Sequence, residues 1–150
     1  MNKKSSKNYF HLEYAVMCET TGKDMAGKDI LVGVVPGGLM APSFPMQMRC
    51  AFWCVLSANN APKGTHKLSL QLREKDKPEK KIIEITIEFS VPETATGTNA
   101  FSTPSSAVTI KEPMTSELLW AIDGGEFSHF RDIPFVNIPT RPKASTQNNT

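Results

Sequence analysis

The chain has 150 residues, 39% of them hydrophobic, with 17 basic and 15 acidic side chains and a formal net charge of +2. That length fits a single domain with room for a core, and the apolar share sits slightly below the ordinary globular level. So balanced a charge excludes the clustered basic footprint of a nucleic-acid binder, and no stretch approaches the roughly 18 apolar residues that a membrane span requires.

The first ten residues carry Lys3, Lys4 and Lys7. A secretory leader would continue into an apolar run of about 7–15 residues. His11 and Glu13 interrupt instead. Residues 1–10 are therefore expected to be a flexible segment, and the chain is expected to be cytoplasmic. From Leu12 to Glu19 the side chains alternate, and Leu12, Tyr14, Val16 and Cys18 are expected to share one buried face. A turn-rich stretch with Gly22 and Gly27 comes next. Lys28 to Val35 is a second strand, stopped by Pro36, Gly37 and Gly38.

Met46 to Ser57 is the longest strand. Met46, Met48, Cys50, Phe52, Cys54 and Leu56 occupy one unbroken face, which must be buried. The opposite face, with Ala51, Trp53 and Val55, is mixed rather than polar. His66 to Glu74 puts Leu68, Leu70 and Leu72 inward. Lys81 to Ser90 puts Ile83, Ile85, Ile87 and Phe89 inward and Glu84, Thr86 and Glu88 outward. The two strands form a hairpin with one solvent-facing side across the charged turn 75–80. Residues 91–107 are rich in Thr, Ser, Pro, Ala and Gly and are expected to be a mobile loop. Ala107 to Lys111 is a short strand. Thr115 to Ile122 has some helical spacing, but Asp123-Gly124-Gly125 behind it supplies a tight hairpin turn and favours a strand. Glu126 to Ile138 returns as one or two strands, and 141–150 is a polar tail expected to be disordered. The sum is an all-β chain: an antiparallel β-sandwich of about seven to nine strands, immunoglobulin-like or similar, with the domain at 11–140.

Three cysteines cannot all pair within one chain. Cys50 and Cys54 would sit about 13 Å apart along a strand, beyond disulfide reach. They face the same side, no ligand set surrounds them, and Cys18 is expected to point inward as well. All three are expected to be inert core thiols, with no metal and no cofactor.

Several residues invite a chemical reading. Ser128, His129 and Asp132 lie close in sequence, but a strand turns Ser128 and His129 to opposite faces, and nothing resembles a nucleophile elbow. Glu84 and Glu88 share a face that alternates as a solvated surface does. Gly33, Gly37 and Gly38 lack the lysine and the adjoining helix of a phosphate loop. Lys75, Lys77, Lys80 and Lys81 are interleaved with Asp76 and Glu79, as at a solvated hairpin tip. No enzyme is expected.

Two features point to contacts. The stretch from Pro36 to Met46 has no charge and contains Leu39, Met40 and Phe44, and the second face of the long strand carries Ala51, Trp53 and Val55. Leu39, Met40, Phe44, Ala51, Trp53 and Val55 form a candidate contact patch.

Residues Tyr14 to Glu74 resemble a family of bacterial proteins known only as a domain of unknown function. The resemblance rests on Ala15-Val16-Met17-Cys18-Glu19, Ile30-Leu31-Val32-Gly33-Val34, Ala41-Pro42-Ser43-Phe44-Pro45, Phe52-Trp53 and Gly64 to Leu70. Trp120-Ala121-Ile122-Asp123-Gly124-Gly125 resembles the same family's closing hairpin. It implies a small β domain of the bacterial cytosol and supplies no catalytic residues; residues 91–107 and the polar ends look particular to this chain. The leading functional expectation is a non-enzymatic scaffold or interaction module that meets an unknown protein partner or a second copy of itself, with neither nucleic acid nor membrane. The alternative is a module binding a small ligand or sugar with loops at one end of the sandwich.

Overall fold

The computed structural model describes residues 9–93 and 95–139. Eleven strands occur in it: β1 (Phe10–Cys18), β2 (Thr20–Lys23), β3 (Asp29–Val32), β4 (Leu39–Ala41), β5 (Met46–Ala61), β6 (Gly64–Glu74), β7 (Lys81–Val91), β8 (Ala95–Ser102), β9 (Ser106–Ile110), β10 (Met114–Ile122) and β11 (Ser128–Asn137). No helix lies among the described residues. The tail at 141–150 lies outside them.

The strands form two main sheets and a hairpin. In the first sheet β5 is central, with β1 on one edge and β8 and β9 end to end on the other. The second runs β4-β11-β10-β6-β7. Both inner faces contribute to one core, from Phe52, Cys54, Leu56 and Met17 on one side to Leu70, Leu118, Ile133 and Phe135 on the other. Phe52 and Phe135 are wholly buried, and each such side chain stabilises the fold by about 1.5–3 kcal/mol. The architecture is thus the expected β-sandwich. Its strand count exceeds seven to nine because short pieces with the composition of turn or loop, namely β2, β4 and β8, acquire partners.

Four expectations are corrected. Phe10 is no part of a flexible leader: it is 4% exposed and packs edge-on against His66 and Phe89. The face assignment of β1 fails after Leu12. Glu13 is an extra residue, opposite the step between Leu56 and Val55, and such a bulge reverses the parity of every later residue in the strand. Ala15 and Met17 therefore point into the core, while Tyr14 and Val16 face outward. The expected mobile loop at 91–107 is largely strand. β8 pairs with the second half of β5 and β9 with the first, so main-chain bonding supplies what its polar composition lacks. Finally, the pairing is not wholly antiparallel: β4 lies parallel to β11, with Leu39 opposite Phe135.

The segment between β3 and β4 joins the two sheets at one edge. Val35 donates its amide to the Met17 carbonyl at 2.8 Å, on the free side of β1. Beyond the Pro36-Gly37-Gly38 turn the chain reaches β4, in the other sheet. Arg131 fastens the crossing by donating to the carbonyls of Pro36 and Val35 at 3.0 and 3.3 Å. Gly38 lies so close to β11 that a Cβ there would stand 2.7 Å from Pro134 Cγ and 2.8 Å from its carbonyl oxygen. Gly38→Ala should therefore force the crossing off β11 and cost about 1–3 kcal/mol, read as a lower denaturation midpoint in urea at unchanged slope.

Candidate functional site

Register assigns the outer face of the first sheet. Tyr14 is opposite Val55, Val16 opposite Trp53, and Cys18 opposite Ala51. At one end of this face Cys18 and Ala51 are wholly buried; at the other Tyr14 is 64% exposed. The difference comes from the β2–β3 hairpin, which folds back across β5. Trp53 Nε1 donates to Asp29 Oδ2 at 2.8 Å. Thr21 donates to the Thr103 carbonyl at 3.3 Å, and Ser105 donates to the Glu19 carbonyl at 2.6 Å. Lys23 holds the other Asp29 oxygen at 2.6 Å. That ion pair first, and the indole bond second, keep the Asp29 carboxyl below its ordinary value. A depressed carboxylate contributes stability at and above its unfolded value and loses it as pH falls through the folded one.

Asp29 and Leu31 thus face the body of the protein, and Ile30 and Val32, between and beyond them, face away. These two remain 45% and 49% exposed. Val34 and Met25, on the same segment, are also exposed.

The candidate contact patch does not assemble as one surface. Ala51 is buried beneath the hairpin, and Trp53 is half-buried with its N–H committed to Asp29. Val55 stays on the outer face of the first sheet. Leu39 and Met40 belong to the edge of the second sheet, Leu39 inward with Phe135 and Met40 outward with Val136. Phe44 packs against the core. The exposed residues that sequence reasoning misses, Ile30 and Val32, sit in a strand whose pattern says only that it is β-rich; nothing local marks which side the hairpin docks.

The charged groups pair with one another. His129 Nε2 lies 2.9 Å from Asp132 Oδ1, and Lys75 donates to the other oxygen. A bulge at Phe130 brings His129 and Asp132 onto one face, while Ser128 stands opposite Trp120 and His129 opposite Leu119. Serine and histidine therefore point to opposite sides of the sheet. Among the described residues, Glu117, His129 and Asp132 offer metal-ligand atoms within 4.8 Å of one another. Their carboxylates already meet Arg73 at 2.7 Å and Lys75, so a cation would have to displace two fixed charges. Glu84 accepts from Gln71 at 2.8 Å and Lys81 at 2.9 Å. Lys77 and Lys80 are held by Glu74, which consumes the basic run. At this end of the sandwich a cleft of about 500 Å³ opens between β6, β7 and the β9–β10 link, lined by Glu74, Lys80, Lys81, Ile82, Lys111 and Met114 among others. It leaves no signal in the sequence, because it is formed by the ends of strands distant in the chain.

Compared with known protein families, residues 13–131 match the model of a family of unknown function, DUF6941. The chain belongs to the DUF6941 family. No curated protein matches it significantly. The DUF6941 span begins within β1 and ends within β11, so it takes in the hairpin, all of β5 and the stretch 91–107, whose composition alone looks particular to this chain.

This DUF6941 chain holds its three cysteines as free, buried thiols. Cys50 and Cys54 lie in the inter-sheet core, where burial pushes both up to about 12. Cys18 is buried too, but on the outer face beneath the hairpin rather than inward, because of the Glu13 bulge; burial also raises it. The thiolate is the reactive form. A thiol reagent should label essentially none of the three in the native protein and all three once it is denatured without reductant. Fast native labelling of one thiol, resolved by mass spectrometry, would place that residue at the surface.

Proposed function

We propose that the protein is a non-enzymatic interaction domain that works through protein contacts, with the outward side of the β2–β3 hairpin as its contact surface. The observation that carries this reading is the pair Ile30 and Val32. Both are large, apolar and about half exposed, on a hairpin whose other side is fastened to the body through Asp29 and Trp53. Two large apolar side chains held outward on one strand of a docked hairpin make a contact element, since exposed apolar surface on a domain can mark an interaction site. Tyr14, at the open end of the same face, adds an amphipathic ring of the kind enriched at interfaces. The partner is another protein or a second copy of this chain. The paired lysines argue against nucleic acid. No helix among the described residues is long and apolar enough to cross a membrane. The three unpaired thiols favour a reducing compartment such as the cytoplasm.

A second reading, a small-ligand module, is favoured by the cleft. Its volume of about 500 Å³ falls within the usual range for ligand sites. Its lining of Glu, Lys, Ile, Thr and Met carries no aromatic ring, so it fits a small charged ligand better than a sugar.

Ile30→Glu separates the two. The site is solvent-facing, so stability should change by no more than about 0.5 kcal/mol. Self-association by light scattering, or a partner that co-purifies with the full chain, should be lost. Unchanged mass together with unchanged partners in a folded variant would overturn the contact reading. Loss of a small-molecule ligand on Lys111→Ala, in the same circumstances, would establish the second.

A further inference from the structure

His66 continues the inward row of β6 that runs through Leu68, Leu70 and Leu72, and it is 8% exposed. The rings of Phe10 and Phe89 enclose it, with centroids at 4.9 and 5.8 Å. Its Nδ1 lies 2.9 Å from Asp123 Oδ2, and its Nε2 lies 3.0 Å from the Pro62 carbonyl oxygen. Both partners are acceptors. A neutral imidazole has one donor and one acceptor nitrogen, whereas the imidazolium has two donors. Only the charged ring makes both bonds.

We propose that His66 is a proton-operated latch: charged, it ties the β5–β6 turn at Pro62 to the β10–β11 turn at Asp123, and on losing a proton it releases one of them and loosens that end of the sandwich. Asp123 is well placed to transmit the change. It sits at φ 53 at the head of the turn that continues through Gly124 at φ 70. Its Oδ1 accepts from the Lys67 amide at 2.9 Å, and its own amide donates to the Lys67 carbonyl at 2.9 Å. The ring proton is thus coupled to the junction between β6 and the β10–β11 hairpin.

Among the described residues, the elements packed against the ring bring these groups to it. From the β10–β11 turn, Asp123 faces it directly. The β5–β6 turn brings the Pro62 carbonyl, with Lys63 exposed beside it. β1 and β7 present the phenyl rings of Phe10 and Phe89. The flanking Lys67 and Glu88 point to the other face, where they pair with each other at 3.8 Å. Burial disfavours the charged ring. The Asp123 bond, the Pro62 bond and the Asp123 charge together outweigh it and raise the pKa above the ordinary 6.5. Linkage gives the sign. A raised histidine contributes stability that is complete below the unfolded value of 6.5 and is lost as pH rises through the higher folded value.

Nitrogen-15 and proton NMR of the full chain from about pH 5.5 to about pH 9 tests this across the range in which histidine titrates. Below the transition both ring nitrogens of His66 should show protonated shifts. Across it, amide protection at 59–66 and 123–126, corrected for the intrinsic pH dependence of exchange, should fall several-fold while the centre of β5 stays protected. His66→Phe, if folded, should lose the pH step in both turns. A ring that is neutral at about pH 6, or one that titrates with no change in either turn, would overturn the latch; the native titration decides the matter even if the variant does not fold.

Discussion

Strand β5, 16 residues long, pairs on both edges through its middle, so what covers it has to lie on its two faces rather than beside it. β1 takes one edge from Ala51 to Ala58; β9 and β8 divide the other between Met46 and Ala61. From Trp53 to Ala58 its main-chain groups are thereby paired on both edges, which is the condition for burying a backbone. The inner face, Cys50, Phe52, Cys54 and Leu56, finds the second sheet. The outer face has no sheet to meet. At the Cys18–Ala51 end it is closed by the β2–β3 hairpin; at the Tyr14–Val55 end it stays open. The hairpin in turn shows an apolar side to solvent because its other side is occupied. The core and the exposed apolar side of the hairpin are consequences of one strand.

The sheet edges obey the same economy of backbone. The free side of β1 is met at Val35, and the crossing beyond it delivers only the short strand Leu39–Ala41 to the rim of the second sheet. β8 and β9 are short, and their exposed residues are small or polar. β7, the longest edge strand among the described residues, places Glu84 and Glu88 among its isoleucines, the kind of charge that discourages edge-to-edge pairing. The exposed hairpin is therefore a different kind of surface from a raw sheet edge: it offers side chains, not unpaired amides.

Much of this is legible in the residues. Alternation from Met46 to Leu56 marks the buried face of β5 without ambiguity, and the β6–β7 hairpin and the Asp123-Gly124 turn are readable from pattern and turn chemistry alone. The failures have separate physical causes. The bulges at Glu13 and Phe130 each add one residue to a strand, and a single insertion leaves no mark on composition while it reverses every face beyond it. Strict alternation puts Cys18 on the wrong side for that reason. β8 is invisible to pattern because Thr96 to Asn99 is polar and exposed, and its order comes from pairing with β5 rather than from burial. The candidate patch joins residues adjacent in sequence or parity, yet its members are divided between two sheets by the crossing at 33–38. The inward parity of His66 is readable; its two acceptors, at Pro62 and Asp123, come from turns that only the fold brings together.

The Trp53–Asp29 bond ties the hairpin to the outer face of β5 and so sets Ile30 and Val32 outward. Hydrogen–deuterium exchange on Trp53→Phe tests it most directly, since that change keeps an aromatic ring and removes only the indole donor with part of the ring. Amides of 20–32 should exchange several-fold faster, while β5, β6 and β10 keep their protection. Unchanged exchange throughout the hairpin in the folded variant would contradict the account.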